Sequence, residues 1–347
     1  MTEKDSSHHI SIRDLAKIAG VSRTTVSLAL RGSHEIGAGT RERIVALARQ
    51  HDYRSHPAVN ALMQQVGRKR RVHDEEIIAF IRTGQTPEET APGPLEILEG
   101  AAQEAHRLGF RVEVFWAGYC GQHSERLARV LFQRGIRGVI WGPMPYPHPP
   151  LRFPWHQFVP IACTPSTEVP NLPAVLINHS KGMALALEEL RRMGAGNTGV
   201  VLNYDMDHRQ DFGWLLGTDL YRHRTGQENV HSLILKDNPD EKRLRRWIRQ
   251  KGLDALIMMH DLYHATRYLE NDIARASLDV ARAELGKVGG LYQNMRLIGE
   301  HAVRSLASRL YSDIPGLPEQ AFHMVVQASF VQGESLRNLE KAAGRKA

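Results

Sequence analysis

Cysteine is nearly absent: Cys120 and Cys163 are the only two in 347 residues, and neither belongs to a C-x-x-C pair. That excludes a disulfide framework and a cysteine-based zinc site, and leaves both as expected buried thiols. Long apolar runs are absent too. No stretch approaches the roughly 18 uninterrupted apolar residues of a membrane span, and the opening MTEKDSSHHI has no apolar h-region, so the expectation is a cytoplasmic chain with no membrane partner. No G-x-G-x-x-G follows a strand-like run and no Walker A motif occurs, which disfavours a dinucleotide or ATP enzyme. Catalytic motifs are missing as well. His260 and His264 have the i, i+4 spacing that can hold metal on a helix, but the H-E-x-x-H pattern fails at Asp261, so neither metal nor cofactor is expected.

Net charge is missing from most of the chain. Residues 72–347 carry 32 Lys and Arg against 32 Asp and Glu, whereas residues 1–71 carry 13 against 6, which is the whole of the net +7. Charge concentrated in this way fits a polyanion-binding head on a neutral body, or a solvated basic tail. The length exceeds what one core usually supports, so two or more domains are expected. A composition of 42% hydrophobic and 24% charged residues is that of an ordinary globular protein.

What the basic segment contains favours the head. Ile12, Leu15, Ala16 and Ala19 fall on one helical face, and Gly20 follows as a turn. A second helix starts there, with Ser22 suited to cap it and Val26, Ala29 and Leu30 as its inward stripe. Its outward face carries Arg23, Thr24, Ser27 and Leu28. Two short helices joined by a tight Gly turn form a helix-turn-helix, whose second helix fits the major groove of DNA. There the Arg23 fork matches guanine O6 and N7, and Thr24 suits a base edge or a thymine methyl. A third helix over residues 40–51, with Ile44, Val45, Leu47 and Ala48 turned inward, closes the head.

These residues resemble a known family. IRDLAKIAGVSRTTVSLALRG, followed by TRERIVALARQHDYR, is similar to the N-terminal DNA-binding domain of the lactose/galactose-repressor (LacI) family. The match takes in Asp14, Ala16, Ala19, Gly20, Val21, Ser22, Thr25, Val26, Ser27 and Tyr53. The resemblance implies that Arg23 and Thr24 occupy the main base-reading positions and Leu28 a third. It gives Ser22 and Ser27 contacts to the DNA backbone, and adds Arg31 and Tyr53 to the DNA-binding set. It also implies a hinge helix after Tyr53, where a leucine from each subunit wedges into the minor groove. Leu62 stands nine residues after Tyr53, with Met63 as its alternative. The proline, Pro57, lies two places later than usual in the family and Asn60 replaces a common arginine. RKRR, at residues 68–71, suits phosphate contacts or a solvated linker.

From residue 76 short apolar runs such as IIAFI, RGVIWG, TGVVLN and DALIMM alternate with amphipathic stretches such as LEILEGAAQEAHRLG and KGMALALEELRRMG. Such alternation indicates parallel, doubly wound sheets, which bind ligands beyond the carboxyl ends of their strands. Here the chain resembles the family's effector-binding core, which is built like a periplasmic sugar-binding protein with two lobes and three crossovers. The resemblance implies an effector site containing Arg82, Arg209, His260, Asp261 and Asp279, with Trp116 and Trp214 as further lining candidates. In this sequence His260-Asp261 stands where the family has an Asn-Asp pair, and Gly213 follows Arg209 one place late. The segment HDLYHATRYLENDIAR is also shorter than the family's helix-plus-strand insertion.

The fold class implied is an all-α three-helix helix-turn-helix head plus hinge helix, followed by an α/β two-lobe periplasmic-binding-protein-like core. The expected domains are the head at residues 1–56, a hinge helix and basic linker at 57–71, and an effector-binding and dimerisation core at 72–347. Its lobes are expected at about 72–170 with 291–320, and at about 171–290 with 321–340. The partners implied are double-stranded operator DNA, a second copy of the chain in a homodimer, and a small-molecule effector of carbohydrate type. Two rivals remain: a periplasmic-type binding protein, and an α/β enzyme with an accessory DNA-binding domain.

Overall fold

The computed structural model describes residues 10–30, 36–51, 53, 76–83, 92–118, 122–144, 151–163, 169, 171–237, 240–270 and 272–339. Arg31, Cys120, Leu62, Met63 and the whole expected hinge at 57–71 lie outside the described residues. The chain divides into two compact units, Met1–Asp74 and Glu75–Ala347.

Among the described residues of the first unit three helices form: α1 (Ile12–Ala19), α2 (Arg23–Leu30) and α3 (Ala38–Gln50). Local chemistry fixes both ends of the first. Ser11 and Asp14 form a reciprocal capping box, with Ser11 Oγ accepting from Asp14 N–H at 3.3 Å and Asp14 Oδ2 accepting from Ser11 N–H at 3.1 Å. At the other end Gly20 takes the left-handed conformation (φ 65°), and its N–H donates to the carbonyls of Ala16 and Lys17. Ser22 caps α2 by accepting from Thr25 N–H at 3.0 Å. Leu15, Val26, Ala29 and Ile44 are sealed between the helices, with Leu30, Leu47 and Tyr53 packed against them.

The second unit holds two six-stranded sheets. Strands β1 (Glu76–Arg82), β2 (Phe110–Trp116), β3 (Gly138–Trp141), β4 (Val159–Cys163) and β5 (Ala174–Ile177) belong to the first sheet. Strands β6 (Thr198–Asn203), β7 (Val230–Leu235), β8 (Ala255–Met258), β9 (Ala274–Ser277) and β10 (Gly289–Tyr292) belong to the second. The last two strands are shared out: β11 (His323–Val326) pairs parallel with β5, and β12 (Ser329–Val331) pairs antiparallel with β10.

Helices cover the sheets in chain order. They are α4 (Pro92–Arg107), α5 (Gln122–Gln133), α6 (His179–Arg192), α7 (Tyr204–His208), α8 (Gly213–Thr225), α9 (Glu241–Lys251), α10 (His260–Ala265) and α11 (Met295–Tyr311). Alternate residues of β1 serve two cores. Ile78 and Phe80 meet Ile97 and Ile298, while Ala79 and Ile81 meet Leu131, Trp141 and Phe158, as a parallel sheet covered on both faces requires.

The chain crosses between lobes after β5, after β10 and between β11 and β12. Each crossing falls later than the sequence expectation. β5 belongs to the first sheet because Val175 and Ile177 point into the first lobe's core. β10 stays in the second sheet through its pairing with β9, and 323–326 returns to the first. Helix α11 then packs against α4 at two glycines. A Cβ on Gly100 would strike the carbonyl of Arg296, and one on Gly299 would strike that of Ile97.

Candidate DNA-reading face and effector cavity

On the head, Ser22, Arg23 and Thr24 are exposed along the start of α2, while Ser27 and Leu28 are half-buried one turn further on. The exposed residues are available because the same helix buries Val26 and Ala29 on its opposite side. Ser22 is already occupied: its hydroxyl caps the helix and lies 2.8 Å from Thr25 Oγ1. Tyr53 is half-buried against the helical core, and burial raises its phenol above the ordinary range. Its backbone N–H donates to Ala48 at 2.9 Å, so this residue ties the chain leaving α3 to the head.

On the body, a cavity of about 360 Å³ opens where strand ends and the crossovers meet. The first lobe supplies the start of α4 at Gly93, Pro94, Glu96 and Ile97, together with Pro143 and Ile177. The second lobe supplies Asn203 at the end of β6, residues 259–262 after β8 and 278–281 after β9. This is the place where a doubly wound sheet leaves room for a ligand.

Four of the five predicted effector residues meet there: Arg209, His260, Asp261 and Asp279. Trp214 lines the same cavity. Arg82 and Trp116 do not. They face each other across the β1–β2 pair, with the Arg82 guanidinium 5.6 Å from the Trp116 ring centre. Because β2 is the edge strand of the first sheet, this stack is drawn to the sheet's outer margin.

The second-lobe wall is built by short connections. Asp207 accepts from the N–H groups of Trp214 at 3.0 Å and Leu215 at 3.2 Å, fixing the start of α8 behind Arg209. The loop between Arg209 and Gly213 holds two consecutive left-handed residues, Asp211 (φ 51°) and Phe212 (φ 55°), an unfavourable conformation for side-chain-bearing residues. Gly213 is required because a Cβ there would lie 2.9 Å from that of His179. His179 in turn packs edge-on against Trp214, with ring centres 4.6 Å apart. Burial first, and the nearby Arg209 second, push its pKa down to about 4.

The cavity's charges are displaced from their ordinary ranges. The Asp279 carboxyl is pushed up to about 6, mainly by burial, with Glu96, Asp261 and Glu284 adding to the rise and His260 opposing it. The Arg209 guanidinium is lowered by burial and held up by Asp261. His260 Nδ1 lies 3.0 Å from the carbonyl oxygen of Asp279, which can only accept, so that nitrogen carries the proton.

Several lining residues gave no sequence signal: Glu96, His179, Gln210, Tyr292 and Gln293. Glu96 Oε1 accepts from Arg282 N–H at 3.3 Å, but its Oε2 is buried without a partner among the described residues, as is Gln210 Oε1. Gln293 Nε2 donates to the Leu278 carbonyl at 2.7 Å and spans the second crossover.

Residues 11–56 match the family described as bacterial regulatory proteins, lacI family. Residues 11–56 are thus a DNA-binding domain of the lacI type. The chain is 25% identical over 136 residues to the maltose regulon regulatory protein MalI of Vibrio furnissii, across 39% of this chain and 90% of that one. Its fold is similar to that of the transcriptional regulator CelR in complex with cellobiose. That match has 20% identity, coverage of 94% of this chain and 99% of the other, and a TM-score of 0.56. It is also similar to the lac repressor dimer bound to operator and the anti-inducer ONPF, with 18% identity, coverage of 93% and 98%, and a TM-score of 0.50. The chain thus joins a helix-turn-helix head of the lacI type to an α/β core of the periplasmic-binding-protein-like kind. Among the described residues no helix is long and apolar enough to cross a membrane.

Proposed function

We propose that this regulator is a non-enzymatic cytoplasmic repressor. It binds a pseudo-palindromic operator as a homodimer and is controlled by a donor-rich small molecule of carbohydrate type. In this reading residues 1–56 are the head and 57–71 the hinge and linker, where Leu62 or Met63 wedges into the minor groove. Residues 72–347 hold the effector and the second copy. Arg23 and Thr24 read bases, and Leu28 adds an apolar contact. Ser22, Ser27, Arg31 and Tyr53 hold the DNA backbone.

The observation that carries the effector half is the surplus of acceptors in the cavity. Among the described residues Glu96 Oε2 and Gln210 Oε1 are buried there without partners, beside the carboxylates of Asp261 and Asp279. Buried acceptors are costly unless a donor meets them, and a polyhydroxylated ligand brings many donors. The cellobiose bound to one of the similar structures is consistent with that class. Arg209, Asp261 and Asp279 would orient the ligand from the second lobe, with Trp214 as an apolar surface. Such a ligand changes operator affinity only by the difference between its affinities for the two arrangements of the lobes.

The test is selection of bound fragments from random duplex DNA by the full chain, followed by a thermal-shift screen of sugars on the same preparation. A recovered palindrome and a sugar that both raises the unfolding midpoint and shifts affinity for that DNA support the reading. Turnover of a screened sugar would instead favour the α/β enzyme alternative.

A further inference from the structure

The rim of the cavity holds a side-chain cluster that effector binding leaves unexplained. His260 and His264 stand one turn apart on α10, with ring centres 4.4 Å apart. Glu284, from the short turn that follows β9, reaches both. Its Oε1 lies 2.9 Å from His264 Nε2 and its Oε2 lies 3.8 Å from His260 Nδ1. One ligand atom from each of the three residues lies within 4.8 Å of the others.

From these observations we infer that His260, His264 and Glu284 form a binding site for one divalent transition-metal ion of the zinc class, set in the wall of the cavity. Two imidazoles and one carboxylate are a donor set that zinc accepts, and three protein ligands leave a coordination position open. His260 itself lines the cavity, as do Asp261 and Asp279 beside it, so the cluster borders the cavity through that one ligand.

The supporting structure holds the donors in place. Arg275, buried behind α10, donates to the carbonyls of Tyr263 and Thr266 at 3.0 Å each and ties down the end of the helix. Thr266 Oγ1 adds a bond to the Leu262 carbonyl at 2.8 Å. Glu284 is oriented by the Ala281 N–H, which donates to its Oε2 at 3.2 Å. The Asp279 carbonyl accepts from His260 Nδ1–H, which leaves Nε2 as the ligating atom of that imidazole and is the kind of outer contact that fixes it. Asp261 follows His260 directly on the helix and adds a carboxylate beside the cluster, which favours a cation.

One contact has to give way. The exposed Arg267 lies 3.3 Å from His264 Nδ1. When Nε2 takes the ion, the imidazole proton moves to Nδ1 and the guanidinium turns out into water, a move open to an exposed side chain. The inference does not depend on the identity of the effector.

The test uses the full chain without an affinity tag, stripped with a chelator and titrated with Zn²⁺ alone by calorimetry, with Co²⁺ as a spectroscopic substitute. The expected result is one tight equivalent of Zn²⁺ per chain, weakened at least about tenfold by His264→Ala and by Glu284→Gln. The ion-free unfolding midpoints of both variants should stay close to that of the parent. Glu284→Gln keeps the size and neutral hydrogen bonding of the side chain, so it carries the test if His264→Ala is poorly folded. Absence of a saturable equivalent in the parent, or unchanged Zn²⁺ affinity in both variants, would overturn the inference.

Discussion

The head and the body of this chain place their candidate functional residues in opposite ways. In the head, the residues proposed to meet DNA and the residues that form the core alternate along one eight-residue helix, Arg23–Leu30. In the body, the cavity draws on chain segments as far apart as Gly93 and Met295, brought together by three crossings between lobes. The head concentrates the net +7 in residues 1–71, whereas the body, neutral in sum, concentrates carboxylates at one cleft. A function read from one helix is carried by local spacing; a function read from a cleft depends on packing many residues away.

The sharpest way to break this comparison is to disturb that packing. Gly299→Val forces a side chain into the backbone of α4 at Ile97, where flexible atoms are not available to yield. The expected outcome is loss of about 4 kcal/mol or more of body stability. A thermal melt followed by circular dichroism should show the body's cooperative transition lost or strongly lowered.

For the head, Arg23→Ala is expected to weaken the selected operator by about 1–3 kcal/mol while leaving binding to random DNA closer to unchanged. Electrophoretic mobility shifts on both DNAs read the difference. Equal losses on both would assign Arg23 to phosphate.

Smaller effects come from titration. Folding raises the Asp279 carboxyl from 3.8 to about 6, so the folded chain holds this proton more tightly than the unfolded chain does. Stability from this source is intact below pH 4 and is lost as pH rises through 6. Asp279→Asn, which cannot ionise, should therefore stabilise the body by about 1–2 kcal/mol above pH 7 and by almost nothing near pH 4. Unfolding midpoints across that range test the sign.

The opposite sign is expected at Glu104, buried between Arg107 and Arg304 at 2.6 and 2.7 Å and held down at about 2 by their hydrogen bonds. Its contribution is present above pH 4.5 and is lost as pH falls toward 2. Because both arginines are exposed, Glu104→Gln should cost only about 1 kcal/mol at pH 7, measured by urea unfolding.

The sequence made the head legible because helix caps, a left-handed glycine and a period of 3.6 residues are all local. Only the start of α3, two residues earlier than the pattern suggested, was displaced. In the body the alternation of apolar runs and amphipathic stretches exposed the parallel sheets. Lobe membership was harder, since AVLI reads the same whether it pairs with β4 or opens the next sheet, and only pairing decides. Arg209, His260, Asp261 and Asp279, expected from resemblance alone, come together at the lining of one cavity. Arg82 was misplaced because a strand end gives no sign that its neighbour is the edge strand. Glu96 and Gln210 were invisible: each is an ordinary polar residue in a helical or loop stretch until a second lobe closes over it. Glu284 was hidden for the same reason, twenty residues beyond His264 and brought back only by the path through β9.

The measurement closest to the central claim is operator affinity of the full chain with and without the sugar found by screening, in the parent and in Asp279→Ala. The account predicts that the parent's affinity changes with the sugar. The variant should bind operator as the parent does but no longer respond. A variant whose response is undiminished, or a parent whose DNA affinity is the same with the sugar bound, would contradict it.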